Sequence, residues 1–168
     1  MELLLHFFKD FFLAFFVAIG FASLFNTPNR VLLIAGLLGS LGHSLKFLLH
    51  DGFGLGLITS TLSGTVLIGL LGIVLAHRVH TPPVVFTMPA CITMIPGLYA
   101  YKTMLGFIKL TDETGLSRTP QDLENTFHYF VLTASLLFTL AIGISIGVLL
   151  FRQDSVKMLK FASRKNKS

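Results

Sequence analysis

The chain has 168 residues, of which 53% are hydrophobic and only 12% are charged. Because a membrane-spanning helix needs about 20 predominantly apolar residues, this composition supplies roughly five spans and little else, which excludes a soluble globular domain. The formal net charge is +5, and the single cysteine excludes an intrachain disulfide. We predict an all-α, polytopic integral membrane protein with about five transmembrane helices.

Apolar runs along the chain give the positions of these helices. One transmembrane domain covers residues 1–151, a basic tail covers residues 152–168, and the predicted spans are residues 11–25, 31–49, 53–76, 84–110 and 127–151. The residues before the first span include Glu2 and Asp10, and no small-residue cleavage site follows, so we interpret this span as a retained helix and not as a signal peptide. No Asp or Glu lies inside a span with these bounds, which argues against a self-contained proton relay.

The first span is rich in phenylalanine, whereas the second, third and fifth spans are rich in small residues. In the fifth span, Gly143 and Gly147 have the spacing that lets two helix backbones approach closely. The small residues of the second and third spans are Ala35, Gly36, Gly39, Ser40, Gly42, Ser60, Gly64, Gly69 and Gly72. We predict that these three helices pack tightly against neighbouring helices, and that the first span faces lipid or a partner.

The fourth apolar run, residues 84–110, is interrupted by Pro89 and by Pro96-Gly97. Pro96 lacks an amide hydrogen and restricts the residue before it, so the helix is expected to stop or kink there and to be discontinuous at Pro96-Gly97. The second half-helix would begin near Gly97 with free N–H groups and the positive end of its dipole directed into the protein. Discontinuous transporter helices hold carboxylates in this way, so the pattern predicts a transport site.

Six residues are the candidates for binding a substrate: Pro96, Gly97, Tyr99, Tyr101, Lys102 and His43. An unpaired charge at the depth of Lys102 would cost on the order of 2.5 to 3.5 kcal/mol. A substrate carboxylate, an acidic residue of another subunit or an aqueous cavity would compensate it; alternatively, the side chain reaches the interface past the two tyrosines. His43 in the second span is either functional or bonded to a neighbouring helix, and Lys46 can reach water from near the end of that span.

Other chemistry is sparse. His77 and His80 have a spacing that can ligate a metal, but no third ligand lies nearby in sequence, so neither a metal nor a cofactor is predicted. Cys91 is interpreted as a small apolar packing residue. No nucleophile-base-acid arrangement or phosphate-binding loop is present, so an enzyme is not predicted. A membrane enzyme or metal protein using His43, His77 and His80 is kept as an alternative.

The distribution of basic residues predicts the orientation. The tail after residue 151 is basic, which places the C-terminus in the cytoplasm and, with five spans, the N-terminus outside a cell inner membrane. The positive charge is thereby explained by a solvated tail near anionic lipid, without a nucleic-acid partner. In the outer loop after Asp112 and Glu113, Thr119, Pro120 and Asp122 have the pattern of a helix start, so the last helix is expected to run from residue 120 to 151.

Three segments together resemble one known family. They are FASLFNTPNRVLLIAGLLGSLG at residues 21–42, HRVHTPPVVFTMPA at residues 77–90 and IPGLYAYKTM at residues 95–104. From about residue 15 to residue 150, the chain resembles the C-terminal half of the threonine/serine exporter family, in the form of a stand-alone small subunit. It is similar to the small subunit of a split succinate exporter.

The resemblance implies a secondary exporter built of two halves, which are fused in some members and split in others. The implied partner is a larger membrane subunit, with self-association of this chain as the alternative, and the implied substrates are threonine and serine, or else a dicarboxylate such as succinate. All of these solutes carry a carboxylate, which fits the free helix start at Gly97. A subunit that only stabilises the assembly and does not transport is the remaining alternative.

Overall fold

The computed structural model of the chain describes residues 2–111 and 119–165. The six α-helices are α1 (Glu2–Leu24), α2 (Asn29–Phe47), α3 (Leu57–Val79), α4 (Val84–Ile92), α5 (Gly97–Thr111) and α6 (Pro120–Lys165), and a π-helical turn, Leu48–Gly52, continues α2. The described part of the chain contains no strand, so the predicted all-α class is confirmed.

Among the described residues, four helical segments are long and apolar enough to cross a membrane: Leu5–Leu24, Asn29–Gly52, Leu57–Val79 and Pro120–Gly147. The pair α4 and α5 forms a fifth when its two bent halves are taken as one span. The polytopic membrane fold with a discontinuous fourth span is therefore confirmed.

Two helices extend well beyond their predicted bounds, and the ends of the others differ from the prediction by a few residues. The first span begins at Leu5 and not at residue 11, because the leucines and phenylalanines before Lys9 continue the apolar run. Asp10 thus lies inside a span, and the prediction that the spans contain no acidic residue is wrong. The last helix begins at Pro120 as predicted but continues to Lys165. The predicted acidic positions Asp112 and Glu113 lie outside the described residues.

The helices pack in two groups. The short helix α4 contacts α1, α2 and α3, and these four helices surround an apolar core that includes Ala35, Leu38, Ile68, Phe86 and Met94. The second group is the hairpin of α5 and α6, whose two helices contact each other extensively. The two groups are joined extensively, because α6 packs along α3 and contributes Leu140 to the same apolar core.

Small residues form the closest helix contacts, as predicted. Along α3 and α6, Thr65 faces Gly143 and Gly69 faces Gly147, so these two helices run parallel. A Cβ atom built on Gly147 would lie 2.6 Å from the carbonyl carbon of Gly69. On α2, a Cβ atom at Gly39 would lie 2.6 Å from that of Ala18 on α1. Larger side chains would push these helix pairs apart.

Two turns meet at the end of the bundle that we call the basic end, formed by residues 25–30 and 77–83. The hydroxyl of Thr27 donates to the Val85 carbonyl at 3.2 Å, and the guanidinium of Arg30 donates to the Thr81 hydroxyl at 3.3 Å. Between α3 and α4, His80 ends α3 in the left-handed conformation, with φ 50°. These contacts fix the point at which α4 enters the group formed by α1, α2 and α3.

Candidate functional site at the interrupted span

The interruption lies between Ile92, the last residue of α4, and Gly97, the first residue of α5, and the two helices are bent by 62° relative to each other. In a continuous helix the amide of residue 96 would bond to the Ile92 carbonyl, but proline has no amide hydrogen. The Ile95 amide takes its place and donates to that carbonyl at 3.1 Å. The helix therefore ends without leaving this carbonyl unpaired, at the position that the sequence predicts.

Pro89, by contrast, does not interrupt the span. Helix α4 continues through it, although its missing amide deprives the Val85 carbonyl of a helical donor. The hydroxyl of Thr27, from the turn between α1 and α2, donates to this carbonyl instead. The interruption consequently falls at Pro96 alone.

The first turn of α5 has unpaired backbone amides and free space beside it. Pro96 is buried, Gly97 is exposed, and a Cβ atom built on Gly97 would meet no other atom within 4 Å. The amides of Gly97 and Ala100 donate to the carbonyls of Ile95 and Pro96 at 2.8 and 3.0 Å. Among the described residues, the amides of Leu98 and Tyr99 have no backbone acceptor. Two free donors thus lie at the positive end of the helix dipole, beside open space.

Lys102 lies on the side of α5 that packs against α6. Its Nζ atom is 4.9 Å from the centre of the Tyr129 ring, and Tyr99 stacks on the same tyrosine with ring centres 6.2 Å apart. The negative face of an aromatic ring attracts an ammonium group, so Tyr129 supplies a compensation for Lys102 that the sequence did not indicate. Tyr101 and Lys102 are both exposed.

The same hairpin holds a second lysine in a small groove of about 230 Å³. Lys109 lies 4.0 Å from Asp122, and both residues line this groove together with Lys102 and Tyr129. Asp122 in turn accepts hydrogen bonds from the amide and hydroxyl of Thr119, which completes the predicted helix start. The groove is therefore a polar strip along an otherwise apolar hairpin.

His43 lies on the opposite side of the interruption. Its ring faces the backbone of Thr93, just after the end of α4, and its Nδ1 atom is buried without a hydrogen-bond partner. Because α2 packs on α4 whereas α5 packs on α6, the six predicted residues form two groups. The group around the interruption consists of Pro96, Gly97 and His43. The group along the hairpin, further from the interruption, consists of Tyr99, Tyr101 and Lys102.

Sequence reasoning missed three residues of this region: Asp10, Thr27 and Tyr129. Asp10 was placed before the first span, although the apolar run on both sides of it would have been a signal for a longer helix. No local pattern could have paired Thr27 with Val85 or Tyr129 with Lys102, since each contact joins segments that are distant in the chain.

The other candidate residues, His77, His80 and Cys91, contact the helix backbone or the apolar core. The Nδ1 atom of His77 is 2.9 Å from the Ile73 carbonyl, and His80 caps α3. Within the described ranges, no group of three or more His, Cys, Asp or Glu residues is placed to hold a metal ion. Cys91 is buried in the apolar core, which confirms its interpretation as a packing residue.

These observations define a multi-pass α-helical membrane protein with one interrupted span and free backbone donors at the interruption. Residues 10–150 match the family described as Threonine/Serine exporter, ThrE, and the chain belongs to this family. The predicted resemblance to this family is confirmed.

One curated relative is considerably longer than the segment it shares with this chain. The chain is 34% identical over 140 residues to an uncharacterised protein of Haemophilus influenzae, and the alignment covers 83% of this chain and 46% of the relative. The chain thus spans less than half the length of that relative. No solved structure matches the chain.

Proposed function

We propose that this chain is a membrane subunit of a secondary exporter for small solutes that carry a carboxylate, with threonine and serine as its substrates. The observation that carries this proposal is the interrupted span, where α4 ends among α1, α2 and α3 and α5 starts with free amides beside open space. In a membrane, irregular backbone is tolerated only inside protein or along a water-filled cavity. A carboxylate is the group that such a helix start attracts.

Lys102 supports a route for the solute along α5. It lies five residues beyond Gly97, which corresponds to a rise of about 8 Å along the helix. Its ammonium group lies over a tyrosine ring, and within residues 2–111 and 119–165 no carboxylate is within 4 Å of it, so it stays able to attract an anion. The free amides and this lysine therefore form successive positive positions along one helix.

A second, larger membrane subunit is the proposed partner. The relative is more than twice as long as the matched segment, and secondary transporters place their sites between two repeats or halves. The α5–α6 hairpin exposes large apolar side chains, among them Leu98, Tyr101 and Met104 at 61 to 62% exposure, which fits a surface covered by such a half or by lipid. Self-association of this chain is the alternative.

The proposed location is the cell inner membrane, with the basic end and the C-terminus in the cytoplasm and the N-terminus outside. Arg30 and Arg78 at the basic end support this orientation, since positively charged loops remain on the cytoplasmic side. Family membership supports transport over catalysis, so the chain is proposed not to be an enzyme.

The test is efflux of preloaded labelled threonine, serine and succinate from cells that express this chain with its larger partner. Gly97→Leu should lower efflux about tenfold or more at equal expression, because the new side chain fills space that a carboxylate needs without contacting the protein. Lys102→Ala should lower it as well, whereas Lys109→Ala, two turns further along the same helix, is the matched control and should not.

Each outcome decides between named alternatives. Loss of threonine and serine efflux supports the proposal, whereas selective loss of succinate efflux assigns a dicarboxylate as the substrate. Unchanged efflux per complex in both Gly97→Leu and Lys102→Ala, together with a lower yield of the complex, would instead identify a subunit that only stabilises the assembly.

A further inference from the structure

A groove with a volume of about 430 Å³ lies between α1, α2 and α3, at the end of the bundle opposite the basic end. We call it the phenylalanine groove. Its apolar walls on α1 and α2 are formed by Phe7, Phe8, Phe11, Leu41, Leu45 and Leu48. Leu67 of α3 closes its inner side. The volume falls in the range of ligand pockets in proteins.

The groove exists because the small residues that bring α1 and α2 together do not continue to this end. At the crossing of the two helices, a Cβ atom built on Gly39 would lie 2.6 Å from that of Ala18. Beyond this contact, α2 presents Leu41, Leu45 and Leu48 on one face, since residues three and four apart share a face. Side chains of this size do not let two backbones approach as glycine and alanine do, so a gap remains between the helices.

One polar side chain lines the groove among the described residues, and its hydroxyl is unpaired. Ser44 is 3% exposed, and its Oγ atom has no hydrogen-bond partner. Other buried hydroxyls on α2 and α3 donate to a carbonyl of their own helix: Ser40 to Leu37 at 3.0 Å and Thr61 to Leu57 at 2.7 Å. A buried hydroxyl without an acceptor is costly in an apolar environment. The groove therefore fits a molecule with an apolar body and a hydrogen-bond acceptor.

The size of the groove distinguishes a hydrocarbon chain from a protein helix as its occupant. Leu41 and Leu48 are seven residues apart, so the groove extends about 10 Å along α2. A helix segment of that length, with a diameter of at least about 10 Å, would occupy roughly 800 Å³. This is nearly twice the volume of the groove, whereas a single acyl chain is much narrower than a helix.

Charged residues lie at the same level of the bundle. Lys9 and Asp10 belong to the segment of α1 that forms the groove, and Lys46 belongs to the corresponding segment of α2. Two lysines and one aspartate leave one net positive charge, which favours an anionic headgroup. Ser44 lies about 22 Å along α2 from Asn29, and the hydrocarbon core is about 30 Å thick, so the groove lies in the leaflet far from the basic end.

We propose that the phenylalanine groove binds one acyl chain of an anionic phospholipid. The chain lies along Leu41, Leu45 and Leu48, the hydroxyl of Ser44 donates to an ester oxygen, and the phosphate lies at the level of the two lysines. The bound lipid fills the gap between α1 and α2 at the end where glycine contacts do not join them. This site is independent of the solute that the protein exports.

Native mass spectrometry tests the site on the full chain, purified in a mild detergent and titrated with phosphatidylglycerol. Wild-type protein should bind one phosphatidylglycerol per chain more tightly than any further lipid. Leu45→Trp should weaken this binding about tenfold or more, because the indole fills the groove and excludes the acyl chain. Leu37→Trp is the matched control, since Leu37 is an exposed leucine of the same helix outside the groove, and it should not change the binding.

A second pair of variants tests the hydroxyl. Ser44→Ala should weaken the binding about fivefold, because it removes one hydrogen bond to the lipid. Ser145→Ala on α6 is its control, because that hydroxyl already donates to the Ala141 carbonyl at 2.7 Å, and it should leave the binding unchanged. Should Leu45→Trp fail to accumulate, the weaker binding of Ser44→Ala is the result on which the site stands.

Three results would overturn the proposal. Equal binding by the wild type, Leu45→Trp and Ser44→Ala would show that the lipid does not occupy the groove. Palmitate bound as tightly as phosphatidylglycerol would assign the groove to a free fatty acid and not to a phospholipid. If the chain purified together with its larger partner no longer binds the lipid that Leu45→Trp removes, the partner and not a phospholipid covers the groove.

Discussion

Pro89 removes one backbone donor from α4, and the structure replaces it from another segment of the chain. The Val85 carbonyl that loses its helical partner accepts the hydroxyl of Thr27. A carbonyl without a donor is costly inside a membrane, so the proline is tolerated because the α1–α2 turn lies against it. This single hydrogen bond ties the basic end to the helix that leads to the interruption.

This explanation predicts a non-additive pair of substitutions. Thr27→Val should destabilise the protein by about 1 kcal/mol, because it leaves the Val85 carbonyl unpaired. In a Pro89→Ala background the helical amide is restored, so the same Thr27→Val change should cost clearly less. Unfolding in detergent, followed by circular dichroism on SDS titration, gives the four stabilities; equal costs in both backgrounds would contradict the explanation.

Lys102 shows how far residue-level reasoning from the sequence reaches. Its depth in an apolar run was enough to predict that something must compensate its charge. The compensating group is the ring of Tyr129, which is 27 positions further along the chain. The need for a compensating group could be predicted, because it depends on the local burial of Lys102. The identity of that group could not, because it depends on how α5 and α6 pack together.

At the scale of whole helices, glycine determines how closely α3 and α6 approach. Gly69 and Gly147 face each other at the crossing, and the built Cβ position on Gly147 lies 2.7 Å from the Gly69 carbonyl oxygen. The Gly69 carbonyl is part of the backbone and not of a flexible side chain. The two helix backbones must therefore separate to admit a methyl group at Gly147. This contact joins the α1–α4 group to the α5–α6 hairpin.

Gly147→Ala should therefore destabilise the protein by about 1 to 3 kcal/mol, through overpacking at the crossing. Gly20→Ala on α1 is the matched control, because a Cβ atom there meets nothing within 4 Å, and it should be neutral or slightly stabilising. The same unfolding measurement compares the two variants with the wild type. An equal response to both substitutions would show that the crossing is not tightly packed.

The sequence predicts helix existence well and helix ends less well. The interruption at Pro96 and the start at Pro120 follow from local chemistry, since proline removes a donor and Thr119 and Asp122 pair across the first turn. The early start of α1 was missed because Lys9 and Asp10 interrupt its apolar run. Isolated charges can lie within a spanning helix when they face other polar groups, and that arrangement is visible only in the fold.

For the molecule as a whole, the interruption is also a boundary between two packing groups. Helix α4 belongs by its contacts to the group of α1, α2 and α3, and α5 belongs to the hairpin with α6. Alternating access in secondary transporters is largely the movement of one rigid part against another around a fixed site. Within this chain α6 packs along α3 and contributes Leu140 to the shared core, so the chain is one packed unit. Since the chain spans only 46% of its relative, we expect a second half to be the part that moves against it.

The most direct test of this account is net efflux of labelled threonine from preloaded cells that express this chain alone, the larger partner alone, or both together. We predict efflux above the background of untransformed cells only when both chains are present, at matched membrane levels of each. Equal efflux from cells that express this chain alone would contradict the proposal that the chain is one half of a transporter and would point to a self-associating exporter. No efflux from cells that express both chains would contradict the exporter function itself.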